Sequence, residues 1–322
     1  MSTAALPERV DIREEGPRDG WQNIEDVQIP TERKLAFIAA LVAAGARRIT
    51  VTAMVHPQWV PQLADGDDVV SALPRVEGVR YGVLVPNRHG FERARALRAK
   101  GGPIDEVGLV VSASEAHNRA NVNMAIADSL AQLEPIVADA KADGLHVCGG
   151  IATVFGCSYE GRVPVARVID IARRYAAMGA DELVLGDTTG MANPLQVRDV
   201  CTRLRDEVSG PRITLHFHNT RGAGLANVLA ALQVGIDSFE ASYGELGGCQ
   251  FARGATGNLA TEDLASMLGE MGIQHGFDLP ALLAVCAEME AFLGRRLDSH
   301  LARAGPIEWA PRASAKGRDD EH

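Results

Sequence analysis

His216 and His218 close a β-branched, apolar run that begins at Ile213. Side chains at positions i and i+2 of a strand point to the same face, so the two imidazoles are expected to project together near the end of this strand. Histidine is the commonest metal ligand in proteins, but it is also a common surface residue. Taken alone, the pair fits half of a metal site and two ordinary polar residues equally well.

Two oxygen-bearing residues are natural partners for this pair. Asp19 follows the first strand-like run of the chain and Asn258 follows the last, and the first, seventh and eighth strands of a closed barrel are neighbours. Mg²⁺ and Mn²⁺ prefer carboxylate, amide and water oxygens, and Mn²⁺ also accepts imidazole. Locally, Asp19 fits an Asp-Gly turn and Asn258 a Gly-Asn turn. Convergence with His216 and His218 favours a site for a divalent cation, Mg²⁺ or Mn²⁺, with these four residues as ligands.

Three further residues have side chains suited to catalysis. Arg18, next to Asp19, would place a fixed positive charge where an oxyanion or enolate develops, although a surface ion pair fits it as well. Asp187 follows the sixth strand-like run, where a general base or a carboxylate that orients a histidine is wanted, or where an Asp-Thr-Thr turn begins a helix. Cys249 follows two glycines in a long loop, which suits a reactive thiol better than a core cysteine.

The elements that must position these residues alternate along the chain. Short β-branched runs are separated by amphipathic, Ala/Leu-rich segments of helical period. The expected strands are 10–13, 48–54, 79–85, 107–111, 147–154, 182–185, 213–218 and 238–241. The expected helices are 31–44, 90–100, 126–143, 164–178, 194–208, 225–234 and 261–271. This alternation predicts a (β/α)8 TIM barrel with its active site at the C-terminal ends of the strands, with a doubly wound open sheet as the alternative.

Composition limits the domain organisation and the partners. One barrel domain is expected over residues 1–307, followed by a charged tail, 308–322, that is expected to be disordered. The net charge of −10, without a basic run, argues against binding to nucleic acid or to an anionic membrane. The five cysteines contain no Cys-x-x-Cys motif, and no signal sequence or membrane-length apolar run is present, so a cytoplasmic protein is expected.

Assembled in this order, the motifs resemble the 3-hydroxy-3-methylglutaryl-CoA lyase family of metal-dependent barrel lyases and Claisen-type synthases. The resemblance extends from about residue 10 to about residue 305. It is carried by Gly16-Pro17-Arg18-Asp19-Gly20, Trp59-Val60-Pro61-Gln62, Gly186-Asp187-Thr188, His216-Phe217-His218, and the loop from Gly247-Gly248-Cys249 to Gly257-Asn258.

The resemblance implies a retro-Claisen cleavage of a tertiary 3-hydroxyacyl-CoA that gives acetyl-CoA and a 3-oxo acid. It assigns the divalent cation to Asp19, His216, His218 and Asn258. It also implies that Arg18 stabilises the thioester enolate, that Asp187 is an acid, a base or a positioning carboxylate, and that Cys249 takes part in proton transfer from a loop that closes on the substrate. A homodimer is the expected assembly.

Several positions depart from the family pattern. Thr50 stands where the family has a glutamate near the end of the second strand, and His56 stands where it has a serine. Asn219 and Arg221 replace an acid and an uncharged residue after the histidines, and Glu245 replaces a small residue. These changes suggest a changed acyl group, and the residues expected at the substrate are Thr50, His56, Asn87, Arg221 and Arg253. His56 is also a candidate to compensate for the missing glutamate, and a rim ion pair between Arg221 and Glu245 is the structural alternative.

Two other functions remain open at this stage. One is a Claisen-type synthase or an aldolase acting on 2-oxo acids, although the loop cysteine favours the lyase. The other is a barrel that binds acyl-CoA without catalysis, having lost turnover with the change at Thr50.

Overall fold

The protein is a closed barrel of parallel strands, as seen in a computed structural model that describes residues 6–248 and 257–309. Each strand pairs with the next in sequence, and β1 pairs with β8, which closes the sheet. The strands are β1 (Asp11–Glu14), β2 (Arg48–Ala53), β3 (Arg80–Leu84), β4 (Glu106–Ser112), β5 (His146–Ala152), β6 (Glu182–Asp187), β7 (Arg212–Phe217) and β8 (Ser238–Ala241). The predicted TIM barrel is confirmed, and the alternative of an open sheet is wrong because β1 and β8 share a ladder.

Helices surround the barrel in the order that the apolar periodicity predicts. Among the described residues they are α1 (Thr31–Ala43), α2 (Gly66–Ala72), α3 (Arg88–Ala99), α4 (Glu115–Val122), α5 (Ile126–Ala142), α6 (Val165–Met178), α7 (Pro194–Glu207), α8 (Gly224–Leu232), α9 (Thr261–Glu270), α10 (Leu279–Leu293) and α11 (His300–Ala304). The helices α2, α4, α10 and α11 were not among the predicted ones, since α2, α4 and α11 are short and α10 lies beyond the last expected strand–helix unit. Within the described residues, no helix combines the length and apolarity needed to cross a membrane.

Glycines end several helices where the sequence predicts them. At Gly45, which follows α1, the backbone has φ 108°, a conformation that L-residues rarely adopt. A Cβ atom at this position would lie 2.3 Å from the carbonyl oxygen of Gly276. The chain therefore turns into β2 within a few residues, as a βα unit requires.

The barrel interior holds a buried network of charges near the N-terminal ends of the strands. Arg13 lies 2.7 Å from Glu182 and 2.5 Å from Glu240, and Arg48 contacts Glu106 through two nitrogens at 3.0 and 3.1 Å. Buried charges are tolerated only when they are paired and hydrogen-bonded, which these are. The network therefore closes the barrel interior at the end opposite to the predicted active site.

The single barrel domain over 1–307 stays a prediction. The tail from 308 lies outside the described residues apart from Glu308 and Trp309, so the expectation of disorder there stays a prediction as well.

Candidate metal and active site

A tight turn after β1 presents the first predicted ligand. The carboxylate of Glu14 accepts hydrogen bonds from the backbone of Gly16 at 2.7 Å and of Tyr243 at 3.1 Å, and from the hydroxyl of Thr261 at 2.6 Å. A Cβ at Gly16 would meet the ring of Tyr243 at 2.4 Å, so only glycine lets the chain pass here. The π-helical turn Gly16–Gly20 then places Asp19 over the barrel mouth.

The buried carboxyl of Glu14 makes stability depend on pH. Burial raises its pKa to about 8, so between about pH 4.5 and pH 8 the folded chain holds a proton that the unfolded chain has released. Stability therefore falls as pH rises through this range, by up to about 1.4 kcal/mol per pH unit. Glu14→Gln mimics the protonated form, so its stability lacks this dependence on pH. Its free energy of unfolding, relative to that of the wild type, should therefore show a gain as the pH rises from 5.5 to 8. Urea unfolding of both proteins at the two pH values measures this gain.

The exposed Glu134 on α5 gives the control Glu134→Gln, which should follow the wild type at both pH values. Parallel pH curves for Glu14→Gln and the wild type would show that Glu14 is ionised in the folded state.

The four predicted metal ligands come together at the barrel mouth. Asp19, His216 and His218 each offer one ligand atom, and these atoms all lie within 4.8 Å of one another. The two Nε2 atoms are 3.2 Å apart, and Nε2 of His216 is 3.9 Å from Oδ2 of Asp19. The side-chain amide of Asn258 donates to the same Oδ2 at 2.8 Å. The mixed oxygen and nitrogen set expected from the sequence is therefore assembled in space.

The donor set fits a divalent cation. Oδ1 of Asn258 is buried and accepts no hydrogen bond from the described residues. The side-chain nitrogen of Asn258 donates to Oδ2 of Asp19 and to the carbonyl oxygen of Leu246 at 3.0 Å, so Oδ1 would reach a cation only after the amide turns over. Burial and the charge on His216 lower the pKa of His218 to about 4, so this imidazole is neutral and has a lone pair to give. Asp19, His216 and His218 thus form a group with the donor atoms that a divalent cation requires.

The carboxylate of Asp19 has two distinct sides. Oδ1 accepts from Nη1 of Arg18 at 2.6 Å and from the amide of Gln22 at 2.8 Å, whereas Oδ2 lies toward the histidines and Asn258. Burial alone would raise the pKa of Asp19, but the adjacent Arg18 and the histidines hold it below its usual value. Asp19 is therefore ionised, oriented and open to a metal on one side.

Arg18 is held between two carboxylates. Its Nη2 lies 2.8 Å from Oε2 of Glu15, and its Nη1 binds Asp19. Only 14% of the side chain is exposed. The ion pair that the sequence offered as an alternative is therefore present, but it is largely buried and lies beside the proposed metal ligands instead of on the surface.

Asp187 divides its two oxygens between structure and site. Oδ1 accepts from the backbone of Met191 at 2.8 Å and of Ala192 at 3.1 Å, so it holds the turn after β6, but the residue that caps α7 is Asn193 and not Asp187. Oδ2 is buried and has no hydrogen-bond partner among the described residues. Burial raises the pKa of Asp187 to about 7, so the group exchanges a proton near neutral pH.

Known proteins are similar to this chain in both sequence and fold. A family model described as HMGL-like matches residues 9–288. The chain belongs to the HMGL-like family. It is 44% identical to a hydroxymethylglutaryl-CoA lyase of Bacillus subtilis over 293 residues, covering 91% of this chain and 96% of that protein. It is 40% identical to the (R)-citramalyl-CoA lyase of Chloroflexus aurantiacus, covering 93% of this chain and 96% of that one.

A solved structure of an HMG-CoA lyase from Acinetobacter baumannii in complex with coenzyme A and 3-methylmalate superposes with a TM-score of 0.88. The two chains are 40% identical, and the match covers 95% of this chain and 98% of that one. The resemblance seen in the motifs, and with it the prediction of a family of carbon–carbon lyases, is confirmed.

The carboxylate that orients a histidine in this HMGL-like protein is Glu240, which the sequence analysis missed. Oε2 of Glu240 lies 2.8 Å from Nδ1 of His216, so Nδ1–H donates a hydrogen bond to this carboxylate and Nε2 faces the metal side. Against the effect of burial, Glu240 and Asp19 raise the pKa of His216, and a metal would bind at Nε2 in exchange for its proton. Asp187, offered for this role, is engaged elsewhere. Glu240 could have been identified from the β7–β8 register, because it pairs with His216 and both side chains face the barrel interior.

Glu240→Gln should weaken Mn²⁺ binding by about 10- to 100-fold, because an outer carboxylate fixes both the tautomer and the direction of the metal-binding histidine. Isothermal titration with Mn²⁺ measures the change. Ser238→Ala is the matched control, since Ser238 lies two residues away on the same face of β8 and bonds Thr214 at 2.7 Å. An unchanged affinity in Glu240→Gln would show that His216 does not depend on this contact.

The residues expected at the substrate occupy different settings. Thr50 is buried in β2 and donates to Glu15, whereas His56 is exposed on the loop after β2. Asn87 caps α3 by accepting from Gly90 at 3.0 Å. His56 is thus not the group that Thr50 contacts, and the idea that His56 replaces the family glutamate finds no support in these contacts.

At the rim, Arg221 donates to the carbonyl oxygens of Thr189 at 2.8 Å and Gly190 at 2.9 Å, and so ties the end of β7 to the loop after β6. Glu245 accepts from Asn219 at 3.0 Å. These contacts replace the ion pair between Arg221 and Glu245 that the sequence offered as an alternative. Cys249 and Arg253 lie outside the described residues, and their predicted roles stay predictions.

Proposed function

We propose that this protein cleaves 3-hydroxy-3-methylglutaryl-CoA, or a close analogue, to acetyl-CoA and a 3-oxo acid in the presence of a divalent cation. The observation that carries the proposal is the convergence of Asp19, His216, His218 and Asn258 beside the buried guanidinium of Arg18. The names of the similar proteins and the complex with coenzyme A support an acyl-CoA substrate.

The divalent cation, Mg²⁺ or Mn²⁺, would be held by these four residues and would supply Lewis acidity toward the hydroxyl and carboxylate oxygens of the substrate. The residues of the chain account for the remaining chemistry. Asp187, with a pKa of about 7 and an unpartnered Oδ2, is placed to take the proton of the tertiary alcohol. As the alcohol becomes a ketone, the bond to the α-carbon of the thioester breaks and its electron pair forms the thioester enolate.

Arg18 stabilises this enolate, since its charge is already fixed by Glu15 and Asp19 before the reaction and needs no rearrangement. A proton on the enolate carbon then completes acetyl-CoA, and we assign its delivery to Cys249. The alcohol loses one proton to Asp187 and the new methyl group gains one from Cys249. Asp187 then releases a proton to solvent and Cys249 takes one up, which returns both groups to their starting states.

A second candidate substrate is citramalyl-CoA, whose cleavage would give acetyl-CoA and pyruvate. It also has a tertiary alcohol with a methyl group and a carboxylate, but the chain to the carboxylate is one carbon shorter. It is favoured by the departures at Thr50, Asn219 and Arg221, and by the 40% identity to the (R)-citramalyl-CoA lyase. We propose Arg221 and Arg253 as the residues that read the carboxylate or a phosphate of coenzyme A.

An assay of both thioesters with Mg²⁺, Mn²⁺ and EDTA tests the proposal. Release of acetyl-CoA that EDTA abolishes is expected, and the identity of the second product, acetoacetate or pyruvate, decides the substrate. Consumption of acetyl-CoA with a 2-oxo acid would favour the synthase instead. Binding of the thioesters without any product would favour a non-catalytic barrel. A cytoplasmic homodimer stays a prediction from the sequence.

A further inference from the structure

Glu15 is a fully buried carboxylate that the sequence motifs do not single out and that the proposed chemistry uses only as one of the two partners of Arg18. It directly follows β1, and 1% of its side chain is exposed. Its backbone donates to Ala241 at 2.8 Å, so its position is fixed by the closure of the barrel. Its own carbonyl oxygen accepts from the amides of Arg18, Asp19 and Gly20 at 2.8 to 3.2 Å. The backbone of Glu15 therefore anchors the turn that carries Arg18 and Asp19.

The side chain of Glu15 points its two oxygens at two functional positions. Oε1 accepts a hydrogen bond from the hydroxyl of Thr50 on β2, and Oε2 lies 2.8 Å from Nη2 of Arg18. The other guanidinium nitrogen, Nη1, binds Asp19. Without Glu15, Asp19 would be the one carboxylate of the described residues left in contact with Arg18, and the guanidinium would compete with the cation for it.

Thr50 is the position at which the resemblance calls for a glutamate. A cavity of about 60 Å³ lies here, lined by Glu15, Arg18, Thr50 and Glu240 among others. A threonine carries no charge and is too short to contact Arg18. Its hydroxyl can, however, donate a hydrogen bond to a carboxylate that comes from the neighbouring strand. The β1–β2 pairing of Glu14 with Ile49 brings Glu15 and Thr50 side by side.

We propose that Glu15 is the positioning residue for Arg18, and that the Glu15–Thr50 pair supplies from β1 the carboxylate that β2 lacks. The inference rests on the proposed function for the identity of the reaction, but the pairing itself belongs to the chain. Glu15 holds the guanidinium in the direction in which an enolate develops, and it leaves Oδ2 of Asp19 to the metal.

Glu15→Gln tests the role in turnover. The glutamine keeps the hydrogen bond with Thr50 and loses the charge toward Arg18. A fall in kcat of about 10- to 100-fold is expected, with the KM for the thioester within about threefold of the wild type and a weaker affinity for Mn²⁺, because Arg18 then competes with the cation for Asp19. Glu106→Gln is the matched control, because Glu106 is equally buried and lines the same cavity but pairs with Arg48, at the start of β2, and not with Arg18. Its kcat should stay within about threefold of the wild type.

Moving the carboxylate is the sharper experiment. The double variant Glu15→Thr with Thr50→Glu places the acid on β2 and the hydroxyl on β1, and it should regain at least about tenfold of the kcat lost in Glu15→Gln. If Glu15→Gln fails to fold, Thr50→Val takes its place, because it removes the hydrogen bond that holds Glu15 while keeping the volume of the side chain. A smaller fall in kcat, about 3- to 10-fold, is expected for it.

A readout that needs no activity separates this inference from the proposed function. Phenylglyoxal reacts with accessible guanidinium groups, and the rate at which the Arg18 peptide is modified is followed by mass spectrometry. Release of Arg18 in Glu15→Gln should raise this rate several-fold, and Glu106→Gln should leave it unchanged. An altered rate in a protein whose wild type cleaves no thioester would refute the proposed function and keep the pairing. An unchanged rate, or an unchanged kcat in an active enzyme, would overturn the role given to Glu15.

Discussion

Arg18→Gln is expected to lower kcat by about 10²- to 10³-fold, with little effect on the affinity for the metal. The charge of Arg18 is buried, paired with Glu15 and Asp19, and in place before the substrate binds. Preorganised charges of this kind contribute most where negative charge develops in the transition state. Steady-state kinetics on the thioester, together with titration of Mn²⁺, separates the loss of turnover from a loss of metal.

The matched control for Arg18→Gln is Arg80→Gln. Arg80 also pairs with a buried glutamate, at 3.1 Å, but it lies at the N-terminal end of β3, away from the barrel mouth. Its activity should stay within about twofold of the wild type. A kcat for Arg18→Gln close to the wild-type value would mean that the enolate is stabilised by some other group.

Asp19→Asn is expected to weaken Mn²⁺ binding by at least about 100-fold and to abolish metal-dependent cleavage at micromolar Mn²⁺. The amide keeps the size of the side chain, and its oxygen still accepts from Gln22 or Arg18, so the turn should be preserved. What is lost is the negative charge of the only carboxylate in the four-residue ligand set. Calorimetry with Mn²⁺ gives the affinity, and circular dichroism verifies the fold.

Asp11→Asn serves as the comparison for Asp19→Asn. Asp11 begins β1, the strand that leads to Asp19, and pairs with Arg48 at 2.9 Å and Arg212 at 2.8 Å, at the opposite end of the barrel from the proposed ligands. It should bind Mn²⁺ like the wild type even if its stability falls. Equal affinities for the Asp19 and Asp11 variants would remove Asp19 from the ligand set.

The sequence predicts the barrel and the convergence of the four proposed ligand residues because both depend on local patterns repeated along the chain. Alternating strand and helix periods give the topology, and polar residues at strand ends give the cluster, since every strand of a closed parallel barrel ends at the same face. His216, His218, Asp19 and Asn258 are found in this way. Each one alone fits a simple turn or a surface position, and their convergence follows only from the fold.

The residues that the sequence does not reveal are those whose meaning lies in a contact with another strand. Glu240 is one charged residue in a four-residue strand, and only the register with β7 shows that it holds His216. Glu15 stands in the Glu-Glu pair at the end of β1, where the sequence does not distinguish the residue that pins the turn, Glu14, from the one that binds Arg18. The two settings differ in side-chain direction, which a strand reverses at each residue.

The proposed ligands come from both ends of the barrel sequence, since Asp19 and Asn258 are 239 residues apart. They come together only when β8 pairs with β1, which is the pairing most distant in sequence. A metal that binds the closed barrel and not the open chain adds its binding free energy to the barrel's stability. The bound ion would therefore stabilise the pairing of β1 with β8 that closes the barrel. Its availability in the cell would then affect both the lifetime of each newly made molecule and its rate of catalysis.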